Sequence, residues 1–161
     1  MKISVVYHSE TGNTAKMADC IVQGLLSVEG IEAKAFSLDN VDKDFAKASQ
    51  ALILGTPVYG GSFSGKIKMW METELGGLQA GGKLAGAFAT ANFIHGGADV
   101  AIQAILAHFM VHGMLIYSSG VAKGQPFIHF GPVAIGSDLP SFEELFKIYG
   151  QRMAEKAKEL F

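Results

Sequence analysis

The chain has a single cysteine, Cys20. That excludes an internal disulfide and a metal site built from several thiolates, and a reducing, cytoplasmic setting is the simplest home for it. Basic residues are not in excess: 13 Lys and Arg stand against 15 Asp and Glu, for a formal net charge of -2. A nucleic-acid binder is expected to carry a basic patch, so nucleic acid is set aside as a partner. No apolar run approaches the roughly 20 residues that cross a bilayer, so no membrane span is expected. The first run, ISVVY, ends in polar HSETGN and is too short for a secretory leader. Repeats, linkers and low-complexity tracts are missing as well. So is G-x-G-x-x-G, which argues against a Rossmann dehydrogenase.

What remains is an ordered globular chain, 49% hydrophobic and 17% charged. Its 161 residues fit one domain spanning 1–161. Short apolar runs alternate with helical patterns. Strands are expected at 3–7 (ISVVY), 31–36, 51–55 (ALILG), 84–90 and 114–117 (MLIY). Between the first two strands, Ala18, Ile21, Val22 and Leu25 repeat with helical spacing. Further helices are expected over 66–75, over 98–111 and from Ser141 onward, where Ser141 and Glu144 have capping-box spacing. The segment 118–140 holds three of the four prolines and reads as irregular. Strands alternating with helices predict an α/β fold, a five-stranded parallel sheet with helices on both faces. Such sheets bind ligands beyond the carboxyl ends of their strands. Three loops lie there: 8–14, 56–65 and 90–97.

The first loop, YHSETGNT, is crowded with small donors and contains no lysine or arginine. Amides from Glu10 through Thr14, including Gly12 and Asn13, can curl around one anion at the start of a helix. Hydroxyls of Ser9, Thr11 and Thr14 add donors. A monophosphate suits such a loop better than a triphosphate, which calls for Lys and Mg²⁺. A plain turn with a helix cap would use some of the same residues. The segment Gly60–Lys66 matches the start of a Walker A motif, but Ile67 stands where Ser or Thr should follow. It is read as a decoy, with Lys66 solvated.

The second loop offers Pro57, Val58, Tyr59, Gly60 and Gly61, with a ring that can stack on a planar ligand. The third offers Thr90, Ala91, Asn92 and Phe93, then Gly96 and Gly97 ahead of a helix. A phosphate loop followed by two ring-shaped loops describes a flavin mononucleotide (FMN) site. SETGNT resembles the phosphate loop of flavodoxins. In order, GTPVYGG, GGLQAGGKLAG, HGGAD and VHGM resemble segments of the WrbA-type NAD(P)H:quinone oxidoreductases of the flavodoxin-like superfamily.

That resemblance implies a flavodoxin-like three-layer sandwich with strand order 2-1-3-4-5 and one FMN per chain. It places the phosphate on Ser9 to Thr14 and the flavin ring between 57–61 and 90–97. It implies a catalytic role for His112, matched to the histidine of the family's HGM segment; a cap on a helix C-terminus is the structural alternative. The other histidines are expected to be structural, Trp70 to belong to the core, and no metal is expected. The implied activity is an enzyme: an FMN-dependent NAD(P)H:quinone oxidoreductase passing two electrons through flavin N5, with NAD(P)H as candidate donor and a quinone-like molecule or redox protein as acceptor. A homodimer or homotetramer is left open. The alternative is a one-electron carrier between redox partners. Carriers of that kind are acidic around the flavin, and the small net charge counts against it.

Overall fold

The computed structural model describes residues 1–161. Seven strands form one sheet: β1 (Lys2–Tyr7), β2 (Glu32–Ser37), β3 (Ala51–Tyr59), β4 (Ser62–Phe63), β5 (Leu84–Ala91), β6 (Leu115–Ile116) and β7 (Val133–Ile135). The helices are α1 (Asn13–Leu26), α2 (Lys43–Ala48), α3 (Gly65–Thr73), α4 (Ala98–Val111) and α5 (Glu143–Leu160). The hydrogen-bonded order is β2-β1-β3-β5-β6, with β4 folded back on β3 and β7 beside the far end of β5. Every pairing is parallel except β3 with β4. Counting β6 and β7 as one interrupted column, this is the expected 2-1-3-4-5 order.

Alternation along the central strands builds two cores. Ile3, Val5 and Ile53 face one side, against Met17, Ile21 and Leu25 of α1 and Phe146, Tyr149 and Met153 of α5. Val6, Leu52 and Leu54 face the other, against Ile67, Trp70 and Met71 of α3 and Ile102, Ile105 and Phe109 of α4. Trp70 is a core residue, as its helical spacing suggested.

Three elements differ from expectation. The short helix α2 is capped by Asp42, whose carboxylate accepts from the Phe45 amide at 2.9 Å; six residues are too few for a periodic signal. The fifth column is split: Ala85 and Ala89, four apart on β5, pair with Ile116 and Val133. The segment between them loops out, and Arg152 of α5 holds it. That buried guanidinium donates to the Ser119 hydroxyl and to the carbonyls of Lys123, Gly124, Gln125 and Pro126. Finally, Ser141 does not cap α5. Its hydroxyl donates to Asp138 at 2.6 Å, because a 3₁₀ segment (Gly136–Phe142) intervenes before the helix begins.

Candidate functional site

The carboxyl ends of β1, β3 and β5 lie side by side, because these strands are neighbours in parallel register. Each is followed by one of the three small-residue loops. In the first, Gly12 takes φ +90° and precedes α1 without a side-chain cap. Such a left-handed position favours glycine. The Gly12 amide donates to Ser9 Oγ at 3.1 Å, while the amides of Glu10, Thr11, Asn13 and Thr14 make no hydrogen bond within the protein. These free donors at a helix N-terminus form a cradle for an anion. Thr14 is buried, and its hydroxyl pairs with that of Thr90 at 2.7 Å, tying the first loop to the third.

The second loop is a two-residue hairpin joining Tyr59 to Ser62. Gly60 and Gly61 have φ of +57° and +77°, as a type I′ turn requires. Thr56 closes its base: its hydroxyl accepts from the Ser64 amide at 3.0 Å and donates to the Pro57 carbonyl at 2.8 Å. The third loop touches the second directly. A Cβ on Gly97 would sit 2.3 Å from the Gly61 carbonyl oxygen.

Between the loops lies a cleft of about 420 Å³ lined by Glu10, Thr11, Asn13, Thr14, Pro57, Val58, Tyr59, Thr90, Ala91 and Asn92. It adjoins a second space of about 470 Å³ lined by Val58, Gly60, Gly61, Ala91, Asn92, Phe93 and Gly96. Of the site residues expected from sequence, the structure brings these together around two adjoining spaces that share Val58, Ala91 and Asn92. Ser9 and Gly12 stand just outside it and shape the first loop. Gly97 borders a neighbouring apolar groove with Ile94, Val100 and Phe142.

His112 is not among them. It ends α4, its ring 5.1 Å from that of His108, and the next residue bonds Gly82 ahead of β5. The cleft lies at the opposite end of β5, eight residues long and so about 23 Å away at some 3.3 Å per residue. Within one chain His112 therefore does not reach the cleft, because a short side chain cannot act across the length of a strand.

Two residues read as structural or solvated turn out to belong here. His8 is buried at the base of the first loop, with Nδ1 2.9 Å from Ser64 Oγ and Nε2 2.8 Å from Glu10 Oε1. Lys66, at the start of α3, donates to the same Glu10 oxygen at 2.7 Å. Lys66 first and His8 second hold the Glu10 carboxyl below its ordinary range, and Glu10 in turn raises the Lys66 ammonium. Gly136 was missed too: a Cβ there would lie 2.8 Å from Asn13 Nδ2 and 3.1 Å from Asn92 Oδ1. No local motif marks it.

The cavity fits FMN. Its neutral anion cradle suits a monophosphate, and the adjoining space between two glycine-bearing loops suits a flat ring. Comparison with known proteins agrees. The family model described as flavodoxin matches residues 5–93. The chain is 44% identical to a flavodoxin of Clostridium saccharobutylicum over 161 residues, covering all of both chains. It is 34% identical to a flavodoxin of Aquifex aeolicus over 158 residues, covering 96% of this chain and 85% of that one. Among solved structures, a WrbA-like flavodoxin from Agrobacterium tumefaciens superposes with a TM-score of 0.81 at 25% identity, covering 99% of each chain.

These findings overturn the enzyme reading. Flavodoxins are electron carriers and not enzymes. The quinone-reducing relatives are distant, as in the NAD(P)H dehydrogenase (quinone) of Syntrophobacter fumaroxidans, 26% identical with 99% of this chain and 98% of that one covered.

Proposed function

The chain belongs to the flavodoxin family, and from that premise we propose that it is an FMN-binding electron carrier that passes electrons between redox proteins. The observation that carries this reading is the three-loop cleft, with unpaired amides at one end and a ring-sized space at the other.

FMN, when bound, supplies the redox chemistry; the chain supplies position and surroundings. Glu10, Thr11, Asn13 and Thr14 offer backbone amides to the phosphate, with hydroxyls of Thr11 and Thr14 beside them. Ser9 and Gly12 hold the loop open. Val58 forms one wall of the ring space and Ala91, Asn92 and Phe93 the other, while Pro57, Tyr59 and Thr90 line the adjoining cleft. Gly60, Gly61, Gly96 and Gly97 keep side chains out of the rim. Asn92 presents an amide that can pair with a polar ring edge. Tyr59 is half-exposed, and Phe93 and Ile94 are exposed, at 75% and 82%. These apolar side chains give a partner protein a surface to meet near the cofactor.

The test is a potentiometric titration of the FMN-loaded protein without air. Two well-separated one-electron steps are expected, and neither NADH nor NADPH alone should reduce the flavin. A single two-electron wave with direct nicotinamide-driven turnover would sink the carrier reading.

A further inference from the structure

The cleft poses an electrostatic problem. Its occupant carries a phosphate, yet the one charged side chain lining it is a carboxylate, Glu10. An ionised carboxylate beside a phosphate repels it. A carboxylate within reach of the free amides of a helix N-terminus can also occupy them itself. Here the partners of the side chain are Lys66 and His8, not the amides of the cradle. Glu10 Oε1 accepts from Lys66 Nζ at 2.7 Å and lies 2.8 Å from His8 Nε2. Lys66 does not line the cleft; it meets the loop only through Glu10. Its helix is fixed to the same loop by His8 Nδ1 and Ser64 Oγ, 2.9 Å apart. Ser64 also caps α3 by accepting from the Ile67 amide at 3.3 Å.

We infer that Lys66, seated on Glu10 and backed by His8, is a specificity-determining residue for phosphorylated flavin: it neutralises the single carboxylate of the cleft and keeps it out of the anion cradle. The inference rests on the FMN reading and deepens it. Lys66 acts through Glu10 and is therefore a positioning residue. Its removal leaves Glu10 without its ammonium partner, with only the His8 contact beside it, next to the phosphate. The loss then applies to FMN and not to riboflavin, which has the same ring and no phosphate. It also disappears when Glu10 loses its charge.

The experiment titrates the full chain, stripped of flavin, with FMN and with riboflavin, followed by flavin fluorescence. Lys66→Gln is expected to raise the Kd for FMN about tenfold at low salt and to leave riboflavin within about twofold. At about 1 M salt, where the screening length is about 3 Å, the FMN penalty should shrink. Lys66→Arg, and Lys66→Gln combined with Glu10→Gln, should both return FMN affinity to within about twofold of the parent. Unchanged FMN affinity in Lys66→Gln overturns the inference. So does a loss shared equally by riboflavin, or one that Glu10→Gln does not rescue. A parent chain that binds no FMN removes the cofactor reading along with it.

Discussion

Gly136 stands against two asparagines from two different loops, and nothing near it in sequence announces that. An alanine there keeps an ordinary backbone but places its methyl 2.8 Å from Asn13 Nδ2 and 3.1 Å from Asn92 Oδ1. Both are side-chain tips, so the fold can absorb the change while the amides turn. Gly136→Ala is therefore expected to weaken FMN binding about tenfold and to lower stability by less than about 1 kcal/mol. Flavin titration and a urea melt separate the two effects. Gly97→Ala is the opposite case. It combines φ of +95° with a methyl 2.3 Å from the Gly61 backbone oxygen, so neither side can yield cheaply. A loss of about 2–3 kcal/mol is expected in the same melt, with FMN binding weakened as the second and third loops part. These residues also mark what sequence alone can reveal. Thr11, Gly12, Asn13 and Thr14 were legible because turn and helix-start chemistry is local. His8, Lys66 and Gly136 were not, because their partners lie far along the chain. The short motif around His112 was legible, while its place at the far end of β5 from the cleft was not.

The divided fifth column has a device of its own. One guanidinium satisfies the looped-out segment at Ser119, Lys123, Gly124, Gln125 and Pro126, and Arg152 is only 8% exposed. Its planar fork suits this many acceptors, where a lysine would reach fewer. Arg152→Ala leaves those groups without their donor. It should cost about 2–4 kcal/mol and speed hydrogen exchange at 119–128 far more than within β1, β3 or β5. Arg152→Lys should fall between the two. Equal acceleration throughout the sheet would show that the segment is not separately held. The contact between α1 and α5 makes a second demand. A methyl on Gly150 would lie 2.2 Å from the Ile21 carbonyl oxygen, backbone against side chain, so Gly150→Ala should cost about 2–4 kcal/mol in a denaturant melt by forcing the helices apart. The strands ISVVY and ALILG were readable because burial on both faces writes a continuous apolar run. The split column was not. MLIY looks like a complete strand, and the return of the chain at Val133–Ile135 depends on pairing with β5.

Two buried clusters, one on each face of the sheet, hold the molecule together. The cofactor cleft lies beyond the strand ends, mostly outside both. Its loops carry their own ties: the Gly60–Gly61 turn, the Thr14–Thr90 hydroxyl pair and the Glu10–Lys66–His8 set. The fold should therefore form without FMN, and the ligand should add stability by mass action alone. Free FMN at about 100 times its Kd contributes about 2.7 kcal/mol. For a chain of this length that corresponds to a rise in Tm of about 5–10 °C. Removing FMN should lower Tm by that amount while leaving unfolding cooperative and far-ultraviolet circular dichroism unchanged. Faster hydrogen exchange should be confined to 9–14, 57–64 and 92–97. The shift should grow with the logarithm of added FMN, at about 1.4 kcal/mol for each tenfold increase. A flavin-free chain that lost its cooperative transition would show instead that the cofactor is part of the core. Two clusters on either side of a largely parallel sheet argue against that, since both are built from the chain's own buried side chains.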